Sequence, residues 1–282
     1  MTARRLIALA LTAALAMAGC GHNGHHAAEL VVGSRAGVES TLLADVYTGA
    51  LRSYGFPART EQAPNPLAKL DSGTFVVVPS LTGRVLQAFQ PGATVRSDAQ
   101  VYKAMIGALP EGIAAGDYTT AAEDKPALAV AESTSKSWGG RDLSALPQHC
   151  DGLVVGSIAG APTPSAVGSC RIPAAREFAD DAKLFAAVKA GEVTAAWTTT
   201  ADPNVPADLV VLTDGKPALV QAENVVPLYR RNELTDRQLL AVNEVAGVLD
   251  TAALVEMRRQ VTAGADPQAV ADAWLNEHPL GR

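Results

Sequence analysis

Residues 33–40, Gly-Ser-Arg-Ala-Gly-Val-Glu-Ser, place a hydroxyl, a guanidinium and a carboxylate (Ser34, Arg35, Glu39) between two glycines and the start of an apolar-periodic run. Leu30-Val31-Val32 ahead of them reads as a buried strand, and Thr41–Tyr54 behind them as a helix. Gly33 and Gly37 are therefore expected to bracket a turn that offers backbone N–H groups beside a helix N-terminus, an arrangement that suits polar or anionic groups. A nucleotide phosphate loop would need G-x-x-x-x-G-K-[ST]. Here only three residues separate the glycines, no lysine follows, and Glu39 at the helix start would repel a phosphate.

Other chemistry is thinly represented. The chain has no G-x-S-x-G elbow, because Gly-Ser-Ile-Ala-Gly at 156–160 puts Ser157 out of place, and it has no H-E-x-x-H pair. His149 and His278 lack any triad context. An exported hydrolase using scattered carboxylates is the less favoured alternative, since nothing in the sequence gathers its parts, and no catalytic residue is expected. Gly-His-Asn-Gly-His-His-Ala-Ala-Glu, residues 21–29, reads either as metal capture or as a flexible tether; with no cysteine or carboxylate cluster alongside, the tether is favoured. No metal or cofactor is expected.

The address is written at the N-terminus. Arg4 and Arg5 precede an uncharged apolar run, Leu6–Met17, too short to serve as a permanent span and ended by Ala18-Gly19-Cys20. Residues 1–19 read as a lipoprotein-type signal peptide, with Cys20 lipidated and 20–29 as a tether to the membrane. Removing 1–19 takes away two arginines and no acids, leaving 21 basic against 29 acidic residues, a net charge of −8. That argues against a nucleic-acid partner, for which a basic stripe would be expected. The two remaining cysteines, Cys150 and Cys170, read as a disulfide in an exported chain, with a metal site built around His149 as the weaker alternative.

These groups need a scaffold, and the chain supplies alternating short strands and helices. Strands are expected at 74–80 (ended by Pro79), 127–133, 152–157 and 192–197, and helices at 97–109 (capped by Ser97) and 176–191 (stopped by Gly191). Residues 207–231 read as two apolar runs around an Asp214-Gly215 turn. The last 50 residues read as helical, with a Thr235/Gln238 capping box, an Asp266-Pro267 start and Trp274 in the core. The alternation predicts an α/β fold with a mostly parallel sheet covered on both faces.

Several stretches, in order, resemble the glycine betaine/choline-binding proteins of ABC importers. Gly33, Ser34 and Glu39 match the G-S-K-x-F-T-E-Q opening, with Arg35 for its lysine; Val78-Pro79-Ser80-Leu81-Thr82-Gly83-Arg84 is similar to P-E-Y-T-G-T. Pro126–Ser133, the Thr199-Thr200-Ala201-Asp202 stretch, Val225–Leu234 and Pro267–Leu275 follow collinearly. The resemblance implies a type II periplasmic-binding-protein fold: lobe 1 from 30–128 and 225–282, lobe 2 from 129–224, and crossings near 126–133 and 222–230. It implies a small polar solute held in the interlobe cleft by Ser34, Arg35, Glu39, Thr82, Arg84, Trp197, Thr199, Thr200 and Asp202, and delivered to an ABC permease by a monomer.

Val78, Leu81 and Pro126 stand where the family has cage tyrosines. Trp138, Trp197 and Tyr118 are equally readable as another cage or as packing, and Arg35 and Arg84 as anion holders or as solvated surface. The alternative to transport is an accessory cell-envelope lipoprotein of the same fold. Cys20→Ser is expected to move the protein from the membrane to the soluble fraction; unchanged membrane association would remove the lipid anchor.

Overall fold

Residues 29–281 are described by a computed structural model. The signal segment 1–19, Cys20 and the histidine stretch lie outside the described residues. The chain opens with β1 (Leu30–Ser34), α1 (Val38–Ser53), β2 (Ala58–Gln62), α2 (Pro66–Asp71), β3 (Val77–Leu81), α3 (Thr82–Phe89), α4 (Asp98–Ala108) and β4 (Ile113–Ala115). It continues with β5 (Pro126–Ala131), α5 (Glu132–Ser137), β6 (Val155–Ile158), β7 (Ala166–Val167), β8 (Cys170–Arg171), β9 (Arg176–Phe178), α6 (Asp181–Lys189), β10 (Ala195–Thr199) and β11 (Leu209–Val211). It ends with β12 (Val225–Arg230), α7 (Asp236–Val248), α8 (Thr251–Thr262) and α9 (Pro267–Glu277).

The strands form two five-stranded sheets, β2-β1-β3-β12-β4 and β11-β5-β10-β6-β9, plus the small β7-β8 pair. In each large sheet four strands run one way and one runs against them: β12 in the first, β5 in the second. These two are the strands that follow the passages between lobes. The two sheets are those of the two-lobed α/β fold expected above, each mostly parallel with one reversed strand. Both faces of each are covered, by α1 and α7–α9 against α2–α4 in lobe 1, and by the disulfide layer against α6 in lobe 2.

Local chemistry sets several boundaries away from the sequence expectation. Gly33 lies inside β1 and not in the turn: a Cβ there would sit 2.0 Å from the Phe75 ring, so close packing requires glycine. Pro79 does not end β3. It faces Pro227 across the antiparallel β3–β12 pair, and the Pro227 carbonyl accepts the Gly116 N–H at 2.9 Å, so residue 227 directs its backbone polar groups away from β3 and neither proline removes a bond between the two strands. Arg176–Phe178, expected in a helix, pairs with β6 as an edge strand, and Asp180 caps α6 by accepting the Lys183 N–H at 2.8 Å. Ser97 occupies the N-cap position of α4 without a side-chain capping bond.

Other expectations hold. Thr235 and Gln238 form the reciprocal capping box, Asp266 caps α9 with Pro267 at its start, and Trp274 is buried. The two runs beside Asp214-Gly215 end up in different sheets, and the Asp214 carboxylate accepts the N–H groups of Leu219 and Val220.

Cys150 and Cys170 are joined, with Cα atoms 5.7 Å apart, closing a ring that contains β6 and the loop Ala159–Ser165. Closing a loop of this length stabilises by ~3 kcal/mol in the chain-entropy model. A Cys150→Ser/Cys170→Ser double variant is expected to lose about that much in urea unfolding, and the wild type should match it under reductant; equal stability of all three would show that the bridge contributes nothing.

Candidate functional site

Parallel strands direct their C-terminal ends to one edge of a sheet, where loops gather polar groups. Here the ends of β1 and β3 in lobe 1, and of β6 and β10 in lobe 2, supply the loops nearest the other lobe. Between the lobes lies a cavity of about 560 Å³. Lobe 1 lends it Arg84 and Gln87 of α3 and Arg258 of α8; lobe 2 lends Ser157, Ala161–Pro164, Trp197, Thr199 and Asp202; the crossings lend Asp124 and Glu223.

The crossings pair with each other. Glu123 and Asn224 form an antiparallel bridge, and Asp124 N–H donates to the Glu223 carbonyl at 2.9 Å. Side chains alternate along such a ribbon. Asp124 and Glu223 turn into the interlobe cavity, while Glu123, Lys125 and Asn224 line a separate hollow of about 820 Å³ on the opposite side. Lys125 is tied there to Glu123 at 3.3 Å and Asp214 at 3.6 Å.

Two carboxylates side by side need cations. Asp124, 3% exposed, accepts Arg258 Nη1 at 3.0 Å on one oxygen and the Ala201 N–H at 3.2 Å on the other, so one residue joins α8 of lobe 1 to the end of β10 in lobe 2. Arg84 Nη1 donates to Glu39 Oε1 and Oε2 at 3.1 and 3.2 Å, with its Nη2 4.0 Å from Asp124. Glu223 Oε2 accepts the Arg84 N–H at 2.9 Å and so caps the first turn of α3 from the second crossing. Gly83 makes room for it: a Cβ there would lie 2.7 Å from the Ala222 carbonyl and 2.8 Å from the Glu223 carboxyl. Burial pushes the Glu223 carboxyl up to about 7 despite Arg84 and the α3 N–H groups. Burial, then Asp124, also raises Glu39, against the pull of Arg84 and Arg258.

The residues expected at the site divide into three sets. Arg84, Trp197, Thr199 and Asp202 line the cavity. Arg35 and Glu39 rim an adjoining hollow of about 480 Å³ that shares Arg84 and Gln87 with it. Thr82 and Thr200 face the crossings: Thr82 Oγ1 accepts the Asn224 N–H at 3.1 Å, and Thr200 Oγ1 accepts the Lys125 N–H and donates to the Glu123 carbonyl, both at 3.1 Å. Ser34 is fully buried at the end of β1.

Of the alternative aromatics, Trp138 stacks on His149 and Tyr118 packs tilted against Tyr102, leaving Trp197 as the ring against the cavity. The sequence reading missed Asp124, Ser157, Asp181, Glu223 and Arg258 as cavity residues. The acidic tripeptides Ala122-Glu123-Asp124 and Ala222-Glu223-Asn224, each just ahead of a strand, were the available signal.

A carboxyl held near 7 in the folded state, against an ordinary value of 4.5, contributes stability that is full below 4.5 and lost as pH rises through 7. Glu223→Gln keeps an acceptor for the Arg84 N–H and is expected to raise the melting temperature at pH 8, by up to ~3 kcal/mol in stability, with the gain vanishing near pH 4. Thermal melts across pH 4–8 check this, and a gain independent of pH would refute it.

No curated protein shows significant sequence similarity to the chain. Apo YehZ from Escherichia coli shares the fold with a TM-score of 0.70 at 18% identity, over 90% of this chain and 99% of that one. A glycine betaine/carnitine/choline ABC transporter structure gives 0.73 at 14% identity, over 88% and 98%. A choline-binding protein of an ABC transporter, in complex with choline, gives 0.55 at 17% identity, over 89% of each chain. The fold is therefore that of type II periplasmic binding proteins. Residues 28–277 match the family model for the substrate-binding domain of ABC-type glycine betaine transport systems, and the chain belongs to that family, OpuAC.

Proposed function

We propose that the chain is a monomeric, lipid-anchored solute receptor on the extracytoplasmic face of the membrane. It captures a small polar solute between its lobes and presents it to an ABC permease. The observation that carries this reading is the interlobe cavity itself: about 560 Å³ of space with polar groups from both lobes on its walls and a two-stranded ribbon as its floor. A cleft plugged by its own side chains would have favoured the accessory role.

Residues 30–128 and 225–282 act as one jaw and 129–224 as the other. Arg84, Trp197, Thr199 and Asp202 touch the solute; Arg35 and Glu39 bound the adjoining hollow; Thr82 and Thr200 hold the crossings in register, and Ser34 packs at the end of β1. A solute that bridges both jaws binds the closed arrangement better than the open one, and only that difference closes the cleft. Cys20 supplies the anchor, and the histidine stretch supplies slack.

The purified chain is expected to retain a small molecule when mixed with a low-molecular-weight extract of bacterial cells and re-isolated by gel filtration, as read by native mass spectrometry. Its radius of gyration should fall in scattering, and its tryptophan emission should shift in the wild type but not in Trp197→Phe. No retained mass together with unchanged scattering would refute solute capture.

A further inference from the structure

The lobe 2 wall contains carboxylates that the protein leaves without cations. Asp181, the first residue of α6, and Asp202, after β10, both line the cavity, and among the described residues no lysine or arginine side-chain nitrogen lies within 4.0 Å of either carboxylate. Asn204 links them: its N–H donates to Asp202 Oδ1 at 2.9 Å and its Nδ2 to Asp181 Oδ2 at 2.8 Å. The Thr198 hydroxyl donates to Asp202 Oδ2 at 2.7 Å. Both carboxylates are therefore fixed in orientation, and each keeps lone pairs for further donors. Asp181 has no capping duty to explain it, because Asp180 caps α6. Burial and the neighbouring Asp202 charge raise its pKa, so it gains from a cation placed between the two.

The same wall holds polar atoms that lack partners. Trp197 is 6% exposed, lines the cavity, and has an indole N–H with no acceptor. The Thr199 hydroxyl, two residues along the same face of β10, is also buried and unpartnered. Ser157, 4% exposed, brings a third donor at the end of β6. Across the cavity the guanidinium groups are already engaged, Arg84 by Glu39 and Arg258 by Asp124.

A quaternary ammonium carries no N–H and is held by ring faces, each contributing ~0.5–2 kcal/mol. This cavity offers one ring, Trp197, and two oriented carboxylates. Carboxylates discriminate in favour of cations that donate, because N⁺–H···O⁻ bonds are short and directional. A metal ion is a poor fit, since the described residues contain no group of three or more metal-ligating side chains.

We propose that the solute presents a primary ammonium or guanidinium, not a trimethylammonium, to Asp181 and Asp202, and an oxygen acceptor to Trp197, Thr199 and Ser157. This rests on the reading of the cavity as the solute site. Asp181 and Asp202 are then its specificity-determining residues, and N-methylation removes the donors they select.

The test uses calorimetry on the whole purified chain with pairs that differ only in N-methylation: ethanolamine and choline, glycine and glycine betaine, γ-aminobutyrate and its N-trimethyl analogue, with agmatine and arginine as guanidinium probes. In at least one pair the N–H member is expected to bind at least tenfold more tightly, or a guanidinium probe to bind at least tenfold more tightly than every trimethyl compound. Asp181→Asn should reduce that affinity at least tenfold and shrink the preference; Asp202→Asn is the second variant, with circular dichroism checking the fold of both.

Tighter binding of the trimethyl members, or a preference untouched in both folded variants, overturns the inference and leaves solute capture standing. If no probe binds but a solute is retained from extract, its mass spectrum decides: a compound without an N–H cation overturns the inference, and one with it supports it. If no probe binds and nothing is retained, both readings fall.

Discussion

One buried carboxylate sets the terms on which the two lobes meet. Asp124 gives one oxygen to Arg258 of α8 and the other to the Ala201 N–H beyond β10, so the crossing strand it sits on is fixed to both lobes at once. Removing Arg258 would leave a charge at 3% exposure short of its counterpart, a situation that costs ~3–5 kcal/mol when a buried pair is broken. Arg84 extends the arrangement to Glu39, and Glu223 ties it into the first turn of α3. The cavity floor is therefore a charge network whose members come from α1, α3, α8 and both crossings. Its geometry is built before any solute arrives, which is the condition for spending interaction energy on recognition and not on assembly.

Much of the scaffold was legible in the sequence because local signals and burial agreed. β1, α1, β10 and the capped helices α7 and α9 carry apolar periodicity and end signals that tertiary packing reinforces. The failures came where a distant contact overrode a local rule. Gly33 looks like a turn glycine until Phe75 arrives from 42 positions along the chain to cover it. Pro79 looks like a strand end until Pro227 is placed opposite it, with the backbone polar groups of residue 227 pointing outward. Arg176–Phe178 reads as helix by composition but borrows its strand character from β6.

The site was legible to a lesser degree, for a related reason. Residues near loop glycines and hydroxyl runs were easy to single out, and Arg84, Trp197, Thr199 and Asp202 do reach the cavity. Asp124 and Glu223 were hidden because neither carries a motif. Their meaning lies in an antiparallel bridge between segments 100 residues apart, which turns alternate side chains toward opposite hollows. Thr82 and Thr200 were readable as polar but not as facing the crossings, since only the folded register decides which side of a strand end a hydroxyl meets.

The Cys150–Cys170 ring encloses Ser157 and the segment Ala161–Pro164, so part of one cavity wall sits on a covalently closed hoop. Disulfides form in oxidising compartments and stay open among cytosolic thiols. The finished shape of that wall is thus tied to where the chain is, as well as to what it is. In a reducing interior the same side chains sit on an open hoop, whose chain entropy nothing restrains. Compartment redox therefore sets how much of that wall's order is covalent and how much rests on packing alone.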